Sequence, residues 1–421
     1  MKRRVVVTGL GAVTPIGHGS QGLYEGIRLG RSAIDRLTRF DPAAFSCKIA
    51  GEVRDFDPAR YLEPKRLRRL DRYSQFAVAT GRMALDDARL DLTEENRDAI
   101  GCFVGSALGG ASFAEEQAAV FLTQGIHRVK PTLALSVFCG AASCNIAIEF
   151  DLRGPSSANS DSCSSGTIAI GEAFRTVRDG YADLMLAGGV EVPLTPLIFG
   201  AFAIIRAMST RNDEPHRACR PFDRGRDGFV MAEGAALLVL EEWEHARRRG
   251  ARIYGEILGY GSSNDAHHMT APLPSGVQAA RAMRNALGEA GVSPEAIGYI
   301  NAHGSSTPLN DATETLAIKQ VFGDDAYRVP ISSTKAMHGH ALGASGAIEA
   351  AICMLAFRHA YLPPTVNLED PDAACDLDYI PGIGREVAVQ HILSNSFGFG
   401  GINATLVFGQ TPPEAIADAV P

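Results

Sequence analysis

Val6-Val7-Thr8-Gly9, near the start of the chain, and Ile300-Asn301-Ala302-His303-Gly304, far downstream, each read as a short strand ending in a glycine-containing turn. Each is followed by Thr-Pro, at Thr14-Pro15 and Thr307-Pro308. A recurring strand-turn unit is what a duplicated chain would show, but on these residues alone duplication and coincidence both stand. Working outward, Val5–Thr8, Ile100–Gly105, Leu184–Gly188, Ala235–Leu240 and Tyr299–Ala302 read as short buried strands. Arg82–Leu90, Ala312–Val321 and Ala344–Phe357 read as helical. Glu242–Gly250 reads as a charged helix end, with Arg247-Arg248-Arg249 in its last turn and Gly250 as its cap. This alternation predicts an α/β fold with largely buried sheets. No Ser/Pro linker divides the chain, and the Pro- and Ala-rich end from Thr411 is expected to be a flexible tail.

The 421 residues are 46% apolar and 21% charged, with a net charge of -8. That excludes disordered, collagenous and membrane-spanning classes. An acidic chain also lacks the phosphate-neutralising surface that nucleic-acid binding needs. Glycine is in excess, 44 residues against roughly 29 at the average of about 7%. The excess implies tight turns and close backbone approaches. The apolar run after Met1-Lys2-Arg3-Arg4 is too short for a signal peptide. The eight cysteines form no C-x-x-C pair, and their spread fits reduced thiols in a cytoplasm.

Gly9-Leu10-Gly11 invites a dinucleotide-binding reading, but Thr14 stands where a third glycine is required. There is no phosphate-cradling P-loop. His267-His268 and His338-Gly339-His340 lack further ligands in metal spacing, so hydrogen-bonded or solvated imidazoles are expected there. Ser160-Asp161-Ser162-Cys163-Ser164-Ser165-Gly166 is different. Its small residues lead into Thr167–Phe174, a run with helical apolar spacing, which puts Cys163 at a helix N-terminus. The macrodipole and free N–H groups there favour thiolate. A small buried cysteine is the plainer alternative, and the local residues leave the two evenly matched.

Two histidine segments follow, Asn301–Asp311 around His303 and Ser333–Glu349 around His340. Both place histidine in a strand-to-helix turn dense in small residues, where α/β proteins build sites. Asn395-Ser396-Phe397-Gly398-Phe399-Gly400-Gly401-Ile402-Asn403 is a glycine-rich loop that either supplies N–H donors to a ligand or is a plain turn.

Taken in order, these segments resemble the elongating β-ketoacyl-[acyl-carrier-protein] synthases, the synthase II kind above all. The resemblance runs from Val5 to about Phe408. It includes Arg153-Gly154-Pro155, Ala187-Gly188-Gly189, Ser209–Asp213, Arg220-Pro221-Phe222-Asp223 and Arg226-Asp227-Gly228-Phe229. It implies an α/β thiolase-like five-layer αβαβα fold with two pseudo-duplicated halves. These are an N-terminal half, 1–252, and a C-terminal half, 253–411, followed by a flexible tail, 412–421. It also implies decarboxylative condensation of an acyl group with malonyl-acyl carrier protein in the cytoplasm, with no cofactor. A homodimer is implied, or a heterodimer with a chain-length factor.

By the same resemblance Cys163 is the acyl-accepting nucleophile. His303 and His340 bind the malonyl thioester carbonyl, and the N–H groups of Cys163 and Phe399 form the oxyanion hole. Lys335 is the active-site lysine, with Asp311, Glu314 and Glu349 compensating it. Leu108, Phe202 and Phe399 wall the acyl pocket, while Thr270, Ser305 and Thr307 line the pantetheine tunnel. Lys65, Arg68, Arg69 and Arg206 dock an acidic carrier protein. Asn301, Ala302, Glu349, Ser394 and Asn395 match a structural monovalent-cation site. The chain departs from the pattern at Asp161-Ser162 before the nucleophile, at Ile204-Ile205 before Arg206, and at Phe138-Cys139 near the expected tunnel floor. An inward-pointing Asp161 would raise the Cys163 pKa. The departures leave a specialised polyketide or polyene ketosynthase open beside fatty acid elongation. The presence of Cys163, His303 and His340 argues against a non-catalytic partner subunit and against initiating synthases, which use Cys-His-Asn.

Overall fold

A computed structural model describes residues 2–411; the expected tail, 412–421, lies outside the described residues. The first half contains β1 (Val5–Thr14), α1 (Arg72–Ala88), β2 (Ile100–Gly105), α2 (Ala141–Phe150), β3 (Ser156–Asn159), α3 (Ser165–Arg178), β4 (Leu184–Glu191) and β5 (Gly234–Glu242). The second half repeats that order. It contains β6 (Gly255–Asn264), α4 (Val277–Ala290), β7 (Tyr299–Asn301), α5 (Pro308–Phe322), β8 (Ile331–Ser332), α6 (Ser345–His359), β9 (His391–Gly398) and β10 (Ile402–Gly409).

Strand pairing repeats as well. In the first half β2 is parallel to β3 and β4, then β4, β5 and β1 run antiparallel in turn. In the second, β7 is parallel to β8 and β9, then β9, β10 and β6 run antiparallel. The two sheets join where Val5–Val7 of β1 pairs with Gly255–Ile257 of β6. Helices α3 and α6 fill the middle layer and touch strands of both halves. Helices α1 and α2 cover the outer face of one sheet; α4 covers that of the other, and α5 packs Ala317, Ile318 and Phe322 into the same core as Ile300, Ile331 and Leu393. The middle position explains the composition of α6, buried without a break from Ser345 to Phe357. A helix enclosed on all sides has no polar stripe.

The duplication is real, but the two runs that first suggest it are not partners. Gly9 does not end a strand, because β1 runs on to Thr14. Its counterpart is β6, where Gly259-Tyr260-Gly261 answers Gly9-Leu10-Gly11. A Cβ on Gly9 would lie 2.3 Å from the Ala84 carbonyl oxygen of α1, and one on Gly11 2.0 Å from that of Thr80. Gly259 and Gly261 stand in the same relation to Ala286 and Ala282 of α4, at 2.2 Å each. These glycines let an outer helix lie directly on its strand. β7, which carries the Ile300-Asn301 run, is instead the counterpart of β2.

The other expected elements are present with shifted ends: the strand at Tyr299 stops at Asn301, the helix through Arg82 runs from Arg72 to Ala88, and side chains cap the starts of two helices. Asp71 accepts the Ser74 N–H at the start of α1. Thr307 accepts that of Asn310 at the start of α5, with Pro308 in the first helical position.

Candidate active site

Four turns at the carboxyl edges of the strands converge. Cys163 lies between β3 and α3, His303 between β7 and α5, Lys335 and His340 between β8 and α6, and Phe399–Gly401 between β9 and β10. The Ser164 hydroxyl binds the carbonyls of Ser396 and Ile402 at 3.0 and 2.7 Å, fastening the cysteine turn to the last loop. Backbone strain collects here. Ser162, Ser306 and Leu342, none of them glycine, have φ of 51°, 67° and 39°, and such strain clusters at functional sites.

The thiol of Cys163 lies 3.2 Å from His340 Nε2. The rings of His303 and His340 stand edge to face with centroids 5.4 Å apart. Burial, then the Lys335 charge, holds both imidazoles well below their usual pKa, so both are neutral. Lys335 Nζ donates to the His303 carbonyl at 2.6 Å and pairs with Glu349. Lys335 and Glu349 are both 0% exposed.

Cys163 does lie at the N-terminal end of a helix as expected, in the short turn Ser162–Ser164 that leads into α3, but its thiol is not shifted toward thiolate. Burial pushes it up to about 12, over the opposing effects of Lys335 and the Phe399 N–H. The carboxylates that raise it are Glu191 and Glu349. Asp161 stays half-buried, its own carboxyl raised by burial.

Of the three acids expected to compensate Lys335, only Glu349 pairs with it. Asp311 lies 3.6 Å from Arg226 Nε and accepts the Phe222 N–H. Glu314 accepts the N–H groups of His303 and Gly304 at 2.9 and 2.8 Å, orienting the histidine turn. Asp311 and Glu314 lie one turn apart on the same face of α5, yet one meets the Phe222–Arg226 loop and the other the His303 turn.

One cavity of about 370 Å³ gathers Cys163, His303, His340, Phe202, Phe399, Thr270, Ser305, Thr307 and Arg206. Phe202 stacks on Phe399 with centroids 6.3 Å apart. Ile205 and Leu309 also line its mouth. Leu108 does not line this cavity; it packs behind Cys163 in the surrounding core. The cationic residues separate too. Arg206 stands at the mouth, whereas Arg68 and Arg69 line a second hollow of about 480 Å³ with Arg39, Arg72 and Lys130. Lys65, Arg68 and Arg69 are exposed on and just after a four-residue helix, Pro64–Leu67.

Among the described residues no cluster of three or more His, Cys, Asp and Glu is placed to hold a metal ion. His338 Nε2 bonds Thr334 Oγ1 at 3.0 Å, and His268 accepts the Thr270 N–H, so these are hydrogen-bonded imidazoles as expected. Within the set Asn301, Ala302, Glu349, Ser394 and Asn395, Asn301 Oδ1 and Glu349 Oε2 are buried without a donor among the described residues. Two such oxygens fit a monovalent cation, which takes oxygen ligands.

Glu191 is the main residue that motif reading passes over. At the end of β4 it accepts the N–H groups of Ala107, Leu108 and Gly343 at 2.6, 3.2 and 2.9 Å, and the Ser106 hydroxyl at 3.0 Å. It ties the Leu108 turn to the turn after His340. Its signal in the sequence was an acid closing the apolar run Leu184–Val190, at the edge where sites form.

Residues 2–246 match the β-ketoacyl synthase N-terminal domain and residues 254–369 the C-terminal domain. The chain is 49% identical to the 3-oxoacyl-[acyl-carrier-protein] synthase 2 of Synechocystis, over 97% of this chain and 98% of that protein. It superposes on a chain of AntDE:AntF, a type II PKS acyl-carrier protein in complex with its ketosynthase, with a TM-score of 0.90 and 38% identity. It superposes on a chain of the ishigamide ketosynthase/chain length factor with a TM-score of 0.92 and 37% identity. Each superposition covers 98% of this chain and 100% of the other. With both domains matched across most of its length, and a cysteine and two histidines brought together from opposite halves, the chain belongs to the β-ketoacyl synthase family.

Proposed function

We propose that the protein is a 3-oxoacyl-[acyl-carrier-protein] synthase that elongates fatty acyl chains. The observation that carries the reading is the approach of Cys163 to His340, with His303 in the same cavity. The Cys163 sulfur attacks the thioester carbonyl of an acyl carrier protein. A C–S bond forms to Cys163, and the carrier thiol leaves with the proton. The N–H groups of Cys163 and Phe399 hold the oxyanion. Malonyl-carrier protein follows, its thioester carbonyl bound by His303 and His340. Loss of CO2 leaves an enolate whose charge the two imidazoles bear. Its carbon attacks the acyl-Cys163 carbonyl, a C–C bond forms, the C–S bond breaks with Cys163 leaving as thiolate and regaining a proton from water, and 3-oxoacyl-carrier protein departs.

Lys335 biases the site by its charge. Glu349 compensates it, Glu314 orients His303, and Asp311 acts through Arg226. Phe202, Phe399 and, from behind, Leu108 bound the acyl group. Thr270, Ser305 and Thr307 bind pantetheine, and Arg206 with Lys65, Arg68 and Arg69 receives an acidic carrier protein. A monovalent cation held by Asn301, Ala302, Glu349, Ser394 and Asn395 would neutralise the second Glu349 oxygen. The halves divide at 252/253. The protein works as a cytoplasmic homodimer, a reading supported by eight free cysteines, the edge strand β3, and exposed Leu135, Phe138 and Ile148 nearby.

The test is transfer of a radiolabelled acyl group from acyl carrier protein. The wild type should take the label and Cys163→Ala should not; label retained in that variant would sink the nucleophile assignment. A second reading, a polyketide ketosynthase working with a chain-length factor, is favoured by the likeness to the AntDE:AntF and ishigamide chains. Failure of the protein alone to elongate saturated primers would select it.

A further inference from the structure

Ser345 opens α6, and its hydroxyl lies 2.7 Å from His340 Nδ1. Both residues are buried, 0% and 2% exposed. The corresponding place at the start of α3 is held by Ser165. Its hydroxyl donates at 2.7 Å to the carbonyl of Ser162, the strained residue ahead of Cys163. In each half a serine at the first helical residue reaches back and secures the turn that carries the chemistry.

We infer that Ser345 is a positioning residue that sets the tautomer of His340, keeping the ring proton on Nε2, where it faces Cys163 and the cavity. The inference rests on the condensing reading above. A neutral imidazole has one donor and one acceptor nitrogen. The Ser345 hydroxyl has one hydrogen, and His340 Nδ1 is its hydrogen-bond partner. Were the proton on Nδ1, the hydroxyl hydrogen would be stranded in a buried site, which is unfavourable. With the hydroxyl donating, Nδ1 accepts and the proton stands on Nε2, the atom 3.2 Å from the Cys163 sulfur. Nε2 is then a donor to a thioester carbonyl oxygen as that oxygen gains charge. Because the ring is held neutral, its tautomer rather than its charge decides what Nε2 offers. His303 lacks this device. Its Nδ1 has no hydrogen-bond partner among the described residues, and its turn is held through the backbone by Glu314 and Lys335.

Long-range proton–nitrogen correlation spectra of the full chain, labelled with 15N-histidine at pH 7.5, test this directly. The His340 signal, assigned by its loss in His340→Asn, should show the proton on Nε2. A proton on Nδ1 in the wild type overturns the inference whether or not any variant folds. In Ser345→Ala the signal should move toward the Nδ1–H form, and kcat for malonyl-carrier protein decarboxylation should fall about tenfold with little change in KM. Ser345→Thr, which keeps the hydroxyl, should restore most of both. A Ser345→Ala variant with the wild-type tautomer and kcat, or equal losses in Ser345→Ala and Ser345→Thr, would show that the serine acts in packing alone. A wild type that decarboxylates no malonyl-carrier protein would sink the condensing reading instead and leave the spectrum to decide the tautomer.

Discussion

Cys163 and Gly343 occupy corresponding places in the two halves, each in the middle residue of the short 3-10 turn that precedes a middle-layer helix. One half keeps a thiol there and the other keeps no side chain at all. The reason is space. A Cβ on Gly343 would lie 2.3 Å from the Ala107 nitrogen and 2.7 Å from a Glu191 carboxylate oxygen. The second half gives up its side chain at this place so that the first half's Leu108 turn can close beside Cys163.

Gly343→Ala is therefore expected to push the Ala107-Leu108 turn outward and weaken the Glu191 bonds. We expect a loss of about 1–3 kcal/mol of stability, the usual range for overpacking, and lower acylation of Cys163. Thermal unfolding together with acyl transfer would check it. An alanine variant as stable and active as the wild type would show that the turn has room to spare.

Lys335 and Glu349 are a fully buried ion pair. Removing either partner strands the other, so Lys335→Met and Glu349→Gln should each cost about 3–5 kcal/mol. The double variant should cost less than the two summed. Urea unfolding of all four proteins gives the coupling, and strict additivity would mean that the pair does not act as one.

His338 is held at about 3, first by burial and then by the Lys335 charge. Its folded-state pKa is below the unfolded value near 6.5. Its contribution to stability is thus complete above that value and is lost as pH falls toward the folded one. By pH 5.5 the loss from this residue should be about 1.4 kcal/mol. The stability gap between the wild type and His338→Gln should narrow by that amount between pH 7.5 and 5.5. A gap that stays constant with pH would mean that His338 takes a proton as readily folded as unfolded.

Arg206 stands at the cavity mouth, apart from Arg68 and Arg69. Arg206→Glu should raise KM for carrier-bound primers about tenfold at low salt and leave kcat with a carrier-free pantetheine thioester near wild type. The Arg68→Glu, Arg69→Glu pair, assayed separately, should behave in the same way if one carrier protein spans both surfaces. A salt-independent KM in the wild type would count against electrostatic docking at either.

Much of the site was legible residue by residue. Cys163, His303, His340, Lys335 and the Phe399 loop lie in small-residue turns between a strand and its successor, and the structure brings all of them together. What was misread was relational. Asp311 belongs to Arg226 rather than Lys335, Leu108 stands behind the cavity, and Arg206 is divided from Arg68 and Arg69 between two hollows. Even the repeat was paired wrongly, because Gly9 looks like the end of a strand until α1 is seen lying on Gly9 and Gly11, as α4 lies on Gly259 and Gly261.

By itself the amino-acid order determined the α/β class, the family likeness and the identity of the side chains that meet in the cavity. These follow from local periodicity and from motifs a few residues long. Only the tertiary structure decided the ionisation of Cys163, the partner of each buried acid and the hydroxyl on His340. Each depends on how far groups distant in the chain are withdrawn from water and brought within hydrogen-bond reach, and neither burial nor distance is a property of a short segment.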